Sequence, residues 1–351
     1  MRDPMSKNSM RVAVMTGVRQ VEIRELPKPQ PGPGEVLVRI RACALCTWEQ
    51  RTYSGVAKGR FPFAGGHEFS GEIEQIGEGT DTKLKIGSRV TVGSSGCGKC
   101  HYCRIGEESK CVSLFGGTLD YEGIWGPMGL AEYKVASLDQ VYQLGDNLPF
   151  EEGALSEPMA CVVHAQRRVG IKLAEDVLVI GAGTMGLLNM LVAKADGARV
   201  MVSEIDPARC AKARELGAHE VFNPKEVDMP QAVKEATRGR GADVVIVAIG
   251  NGIANKQALQ AVGSLGRVML FASAHPPEDL CVDPDWLHYS QVAITGSVHG
   301  DVHGFTVATK VLSDRIVDVR PLIQKTLPLS AVKEALELAT EPGTYRIVLT
   351  M

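Results

Sequence analysis

Between residues 35 and 40 charged and apolar residues alternate, Glu35-Val-Leu-Val-Arg-Ile, with the period of a half-buried strand. Prolines at 27, 29, 31 and 33 form a stiff, turn-rich lead into it, and Gly65, Gly66, Gly71, Gly77, Gly79 and Gly87 punctuate the later segments at turn-like intervals. The first 150 residues or so therefore predict a β-rich, barrel-like domain. From about residue 157 the rhythm changes. Short apolar strands at 177–180, 199–203, 243–249, 267–271 and 292–295 alternate with helical stretches such as 207–216 and 253–262. Fully apolar strands separated by helices predict a doubly wound parallel sheet covered on both faces. The tail carries a helical pattern at 305–312, another at 329–339, and a last strand at 345–349.

Composition narrows the partners. With 351 residues the chain suits two domains, and 44% hydrophobic with 23% charged residues is ordinary globular usage. Lysine and arginine number 38 against 41 acidic residues, a net charge of −3, which argues against nucleic acid or an anionic membrane as the main partner. The longest uncharged run, 177–193, contains Gly181, Gly183, Thr184, Gly186 and Asn189, so it reads as strand, turn and buried helix rather than a membrane span. Residues 1–10 are polar, with no apolar stretch of a secretory signal; they read as a disordered leader with Met5 or Met10 as a natural start, and a cytoplasmic location is expected. In that compartment nine cysteines do not predict disulfides.

Three groups of residues carry chemistry. The first is Gly181-Ala-Gly183-Thr184-Met185-Gly186, which follows an apolar strand and opens a helix, so that a pyrophosphate can approach free N–H groups at the helix N-terminus. Glu204 ends the next strand 21 residues after Gly183, where a carboxylate can bind both ribose hydroxyls and repel a 2′-phosphate; this favours NAD over NADP, tempered by Arg209 nearby. The second is Cys97-x2-Cys100-x2-Cys103-x7-Cys111, four thiolates able to enclose a tetrahedral metal with no position left open. Structural zinc is the preferred reading; an iron–sulfur cluster is a rival for four thiolates. A nucleic-acid zinc finger is disfavoured, since the lobe offers only Lys99, His101, Arg104 and Lys110 as basic groups. The third is dispersed: Cys46, His67-Glu68 and Glu157 supply a thiolate, an imidazole and carboxylates, the mixed set a catalytic zinc with an open position needs.

Cys46, the run GHEFSGEIEQIG from Gly66 to Gly77, the four-cysteine lobe, Ala131-Glu-Tyr133, Glu157-Pro158 and the glycine loop together resemble the zinc-dependent medium-chain dehydrogenase/reductase family over nearly the whole chain. That resemblance implies a GroES-like β-barrel catalytic domain from residues 1–156 and 298–351, a Rossmann NAD-binding domain at 157–297, and an active site in the cleft between them. Glu157, where alcohol dehydrogenases carry a cysteine, makes the chain more similar to the sorbitol, threonine and sugar-alcohol-phosphate dehydrogenases. It implies two zinc ions per chain, one structural and one catalytic, the latter held by Cys46, His67 and either Glu68 or Glu157. Glu49, three residues after Cys46, is the expected acceptor for the other ring N–H of His67. Cys161 matches a position beside the nicotinamide. The expected activity is hydride transfer from a secondary hydroxyl of a polyol, sugar, cyclitol or sugar-alcohol phosphate to NAD. Threonine or simple-alcohol dehydrogenation, and a non-catalytic zinc- or NAD-binding relative, are the alternatives. The zinc-free reductase branch lacks both ligand sets and is disfavoured.

The chain also departs from the family pattern. Where relatives carry Ser or Thr two residues after the ligand cysteine, this chain has Trp48, so the relay hydroxyl is missing and Thr47, the zinc water or Glu68 must take its part. Trp48 offers instead an aromatic wall suited to the apolar face of a sugar or cyclitol. Trp125 and His299 are further expected substrate contacts, with His299 to His303 read as a glycine-flanked loop. Relatives are commonly homotetramers or dimers joined through the edge of the Rossmann sheet, so a homo-oligomer is expected.

Overall fold

A computed structural model describes residues 8–113, 120–274 and 276–351. The chain divides into two compact units, Met1–Ala160 with Gly300–Met351, and Cys161–His299. The helix Ser156–Val169 runs through the first of these boundaries.

The discontinuous unit is built on a seven-stranded sheet. Its order is Ile323–Pro328, Arg346–Thr350, Glu35–Ala44, Glu68–Ile76, Arg89–Val92 and Val141–Gln143, with Tyr133–Ser137 also paired to Glu35–Ala44. All pairings are antiparallel except the one between the two tail strands. The sequence reads 35–40 as half-buried, yet Val36, Leu37 and Val38 are all fully buried. The strand is flanked on both edges, and register shifts at Leu37/Val38 and Ile40/Ala42 interrupt the simple alternation. The helix Val332–Ala339 closes one side of the core, burying Val332, Ala335, Leu336 and Ala339 at the helical spacing of three and four. The sequence pattern at 329–339 resolves into a 3-10 turn, Leu329–Ala331, followed by that helix. The leader read at residues 1–10 ends sooner than expected. Ser9–Gly17 is a strand paired with Gln20–Pro27, and Met10 is buried in it; residues 1–7 lie outside the described residues.

The second unit is a six-stranded parallel sheet in the order Glu220–Phe222, Arg199–Ser203, Asp176–Ile180, Ala242–Val247, Val262–Leu270, Ala293–Gly296. Numbered from Asp176–Ile180 this is 3-2-1-4-5-6, the doubly wound order of dinucleotide-binding domains. Asp176–Ile180 is buried at every residue, as a central parallel strand covered on both faces must be. Helices are capped as their sequence directs: Asp206 accepts from the N–H groups of Ala208 and Arg209, and Asn251 from that of Ala254. No helix among the described residues is long and apolar enough to cross a membrane.

Candidate metal and dinucleotide sites

The mixed metal set is assembled by three short features of the discontinuous unit. Cys46 stands at the N-cap of the helix Thr47–Ser54 in extended conformation, and the helix ends at Gly55 in a left-handed cap. Its buried face carries Glu49, Thr52 and Tyr53. Gly66 precedes the strand Glu68–Ile76 at φ +94°, and a Cβ there would lie 2.4 Å from the Leu130 nitrogen, so only glycine lets the chain turn into His67 and Glu68. As a result the ligand atoms of Cys46, His67 and Glu68 all lie within 4.8 Å of one another. Glu157, half-buried in the helix Ser156–Val169, is not in this group, although its charge raises the pKa of Glu68.

Glu49 is fully buried and holds the imidazole. Its Oε1 accepts the Gly66 N–H at 2.9 Å and lies 3.1 Å from His67 Nδ1. With Nδ1–H directed to the carboxylate, Nε2 is the nitrogen left to face a metal. Burial disfavours charge on both partners, but their mutual attraction outweighs it: the Glu49 carboxyl stands below its ordinary range and His67 well above it. Burial pushes the Cys46 thiol up, with Glu68 adding to the effect.

Sequence reasoning missed Arg346. The residue is 3% exposed, and its guanidinium donates to Glu68 Oε1 at 2.5 Å and to the Leu45 carbonyl at 3.3 Å. Burial raises the Glu68 carboxyl to about 7 despite the arginine, with Glu157 contributing to the rise. Glu68 Oε2 remains buried without a hydrogen-bond partner. A thiol, an imidazole nitrogen and an orphaned buried carboxylate oxygen within coordination reach are donors that suit zinc, with the open fourth position of a catalytic site.

Aromatic rings flank this set. Trp48 lies 5.6 Å from the His67 ring, 5.9 Å from Trp125 at 86° and 5.3 Å from Phe63, which in turn lies 5.2 Å from Trp125. Trp125 is fixed by backbone bonds, its N–H to the Pro62 carbonyl and its own carbonyl to the Ala64 N–H. Trp48 and Trp125 are half-buried, Phe63 is fully buried, and Thr47 is exposed. Phe63 was not anticipated; nothing in its local sequence distinguishes it from other core residues.

The four lobe cysteines also converge within 4.8 Å. Sγ–Sγ separations are 3.5 Å for Cys100–Cys103 and 4.0 Å for Cys97–Cys103. A tetrahedral zinc with bonds near 2.3 Å spaces its sulfurs by about 3.8 Å, so the lobe fits it. Backbone N–H groups of Cys97, Cys100 and Ser113 already point at sulfur, and such donors at Cys97 hold its thiol down to about 6. The Cys103 thiol is pushed up to about 11, burial being the main cause.

In the parallel-sheet unit the glycine loop joins the strand Asp176–Ile180 to the helix Thr184–Ala195, with Gly183 as its N-cap and Thr184, Met185 and Gly186 in its first turn. A Cβ on Gly186 would lie 1.8 Å from the Gly181 carbonyl oxygen, which explains glycine there by close approach. The Arg209 guanidinium reaches back toward this loop, 3.7 Å from where a Gly183 Cβ would stand. Glu204 does more than the sequence predicts. Its Oε2 accepts the Ala182 N–H, and its Oε1 accepts those of Ile205 and Asp206. Three of about four acceptor positions on this carboxylate are thus taken by backbone N–H groups. A cavity of about 320 Å³ lined by Gly181, Glu204, Lys225, Ile249 and Asn251 opens beside it.

The expected loop from His299 to His303 is corrected. Asp301 caps a helix, Val302–Ser313, so His303 sits in its first turn, whereas His299 precedes it at φ +57°. His299 is half-buried, and its carbonyl faces His164 Nδ1 at 2.7 Å. Cys161 is half-buried in the helix Ser156–Val169.

A closed four-sulfur site, an open mixed-ligand site and a 3-2-1-4-5-6 sheet in one chain are the parts of a zinc dehydrogenase. Residues 32–146 match the family model described as alcohol dehydrogenase GroES-like domain, and residues 184–314 that described as zinc-binding dehydrogenase. A sorbitol dehydrogenase of Halalkalibacterium halodurans is 30% identical over 97% of this chain and 98% of that protein. A D-arabitol-phosphate dehydrogenase of Enterococcus avium is 28% identical over 95% and 94%. The crystal structure of galactitol-1-phosphate dehydrogenase from Escherichia coli superposes with a TM-score of 0.86 at 25% identity, covering 97% of this chain and 100% of that one. The chain belongs to the zinc-dependent medium-chain dehydrogenase/reductase family, in its polyol- and threonine-dehydrogenase-like part. The resemblance and the fold class read from the sequence both hold.

Proposed function

We propose that this dehydrogenase oxidises a secondary hydroxyl of a polyol, sugar, cyclitol or sugar-alcohol phosphate, with NAD as hydride acceptor. The observation that carries the reading is the open three-donor set of Cys46, His67 and Glu68, with its ligand atoms inside 4.8 Å. Zinc bound there supplies Lewis acidity, lowering the pKa of the hydroxyl to be oxidised. The remaining tasks belong to side chains. Glu49 holds His67 in one tautomer and one orientation. Arg346 holds one oxygen of Glu68, leaving the other for the metal side. Glu157 is the second carboxylate of the site, and the exposed Thr47 hydroxyl passes the released proton to solvent in place of the hydroxyl missing at Trp48. His299 is a further substrate contact.

For the coenzyme, Gly181, Gly183, Thr184, Met185 and Gly186 offer backbone N–H groups to the pyrophosphate, Arg209 adds a cation near the loop, and Glu204 takes one ribose hydroxyl. We assign Cys161 a position beside the nicotinamide, as the family resemblance implies. A phosphate on that ribose would meet the Glu204 carboxylate, which supports NAD over NADP. The names of the relatives, sorbitol and sugar-alcohol-phosphate dehydrogenases, support the substrate class. The exposed edge strand Ala293–Gly296 supports a homo-oligomer, either dimer or tetramer, joined there.

The test is NADH appearance with zinc-loaded enzyme against polyols, sugar-alcohol phosphates, cyclitols, threonine and simple alcohols, with NAD and NADP in parallel. Turnover of a polyhydroxylated compound with NAD is the expected result. Turnover confined to simple alcohols, to threonine or to NADP would overturn it.

A further inference from the structure

We infer that Trp48 and Trp125 form a stacking corner that selects ring-form polyhydroxylated substrates, cyclitols or pyranoses, over open-chain polyols. This deepens the polyol reading and rests on it. The two indoles meet nearly at right angles, 86° with centroids 5.9 Å apart, so one supplies a floor and the other a wall. Phe63, fully buried, lies against both at 5.3 and 5.2 Å and fixes their planes. The corner lies beside the donor set, since Trp48 is also 5.6 Å from the His67 ring.

A right-angled apolar corner suits a rigid body with one flat face. A six-membered ring in its chair form gathers axial C–H bonds on a face, and that face stacks on an indole without stripping water from hydroxyls, which remain at the rim. An extended polyol has a hydroxyl on every carbon, directed to both sides. Laying it on either indole desolvates hydroxyls, and ordering it freezes several rotors that a ring does not have. Preference for the ring therefore follows from the shape and apolarity of the corner.

The chain has three tryptophans, 48, 125 and 286, so a Trp286→Phe background leaves the corner as the sole source of indole fluorescence. In zinc-loaded protein of that background, myo-inositol and glucose are expected to change the emission saturably, at concentrations at least tenfold lower than sorbitol or xylitol. The ratio of kcat/KM for ring over open-chain substrates should likewise exceed ten. Trp48→Ser should carry that ratio toward one, chiefly through KM of the ring substrates, while Trp48→Phe should restore most of it. Equal kcat/KM for ring and open-chain polyols, or a ratio indifferent to Trp48→Ser, would overturn the corner while leaving the polyol reading standing. If no polyhydroxylated compound turns over, the polyol reading fails, and the fluorescence titration alone judges the corner. Absence of any emission change with myo-inositol and glucose would then overturn it too.

Discussion

Glu49 shows how one buried carboxylate organises a site. It has no solvent, and its Oε1 is shared between the Gly66 N–H and His67 Nδ1, so the imidazole it holds is fixed in both plane and tautomer. Replacing Glu49 by Gln keeps the volume but removes the charge that keeps the ring in place. A loss of roughly 10–100-fold in zinc affinity or activity is expected. Competition with a chelator at fixed free zinc, read alongside kcat/KM, measures it; zinc retention and turnover equal to wild type would show that Glu49 does not orient the ring. Glu49 was legible because it stands three residues from Cys46 and the sequence places both on one short segment. Arg346 was not, since 278 residues separate it from Glu68. A trace of it existed nonetheless: a lone arginine heading the apolar run Ile347-Val-Leu349 must be buried with a partner, and the acidic residues of the metal set were the natural ones.

At the scale of elements, legibility followed burial. The strands Arg199–Ser203 and Asp176–Ile180 were readable because central parallel strands are apolar at nearly every position. The three-residue edge strand Glu220–Phe222 and the helix Pro284–Ser290, which buries no residue, were not, being short; the helix Met229–Ala236 was missed although Met229 and Val233 give it a buried face at helical spacing. The helix Thr47–Ser54, which carries half of the candidate site, has no helical apolar stripe; Trp48, Thr47 and Thr52 are indifferent helix formers, and tertiary burial of Glu49, Thr52 and Tyr53 holds it. The cysteine lobe is the opposite case, since its spacing alone gave its geometry. Among the described residues it has little apolar core of its own: Cys97, Cys100 and Cys103 are half-buried, with only Cys111 and Ser109 buried nearby. A lobe of this kind is expected to draw its stability from a bound metal. Cys103→Ser is expected to lower bound zinc from two ions per chain to one and to depress the melting temperature, measured by elemental analysis and calorimetry. Two zinc ions retained with an unchanged melting temperature would remove the structural-metal assignment.

At the scale of the whole molecule, the candidate metal site exists because a discontinuous unit folds residue 346 back onto residues 46, 49, 67 and 68. That closure buries several ionisable groups together, and their titration links metal, pH and stability. Glu68 ionises near 4.5 when unfolded and near 7 when folded without metal. Between those values the folded chain holds a proton that the unfolded chain has lost, so this group's effect on metal-free stability grows less favourable as pH rises through that window. Glu49 runs the other way: its folded value is depressed, so its contribution is present above 4.5 and is lost as pH falls through the folded value. With Glu68 and Cys46 as the proposed zinc ligands, binding needs a carboxylate and a thiolate that burial disfavours, so zinc affinity should rise with pH. Because bound metal stabilises in proportion to the logarithm of its affinity, the gap in melting temperature between zinc-loaded and chelated protein should widen from pH 6 to pH 8. The lobe cysteines contribute to the same gap, and Glu68→Gln separates the two: in that variant part of the widening should disappear. Identical pH dependence in wild type and Glu68→Gln would mean that Glu68 is not a ligand, and the carboxylate of the candidate site would then have to be sought at Glu157.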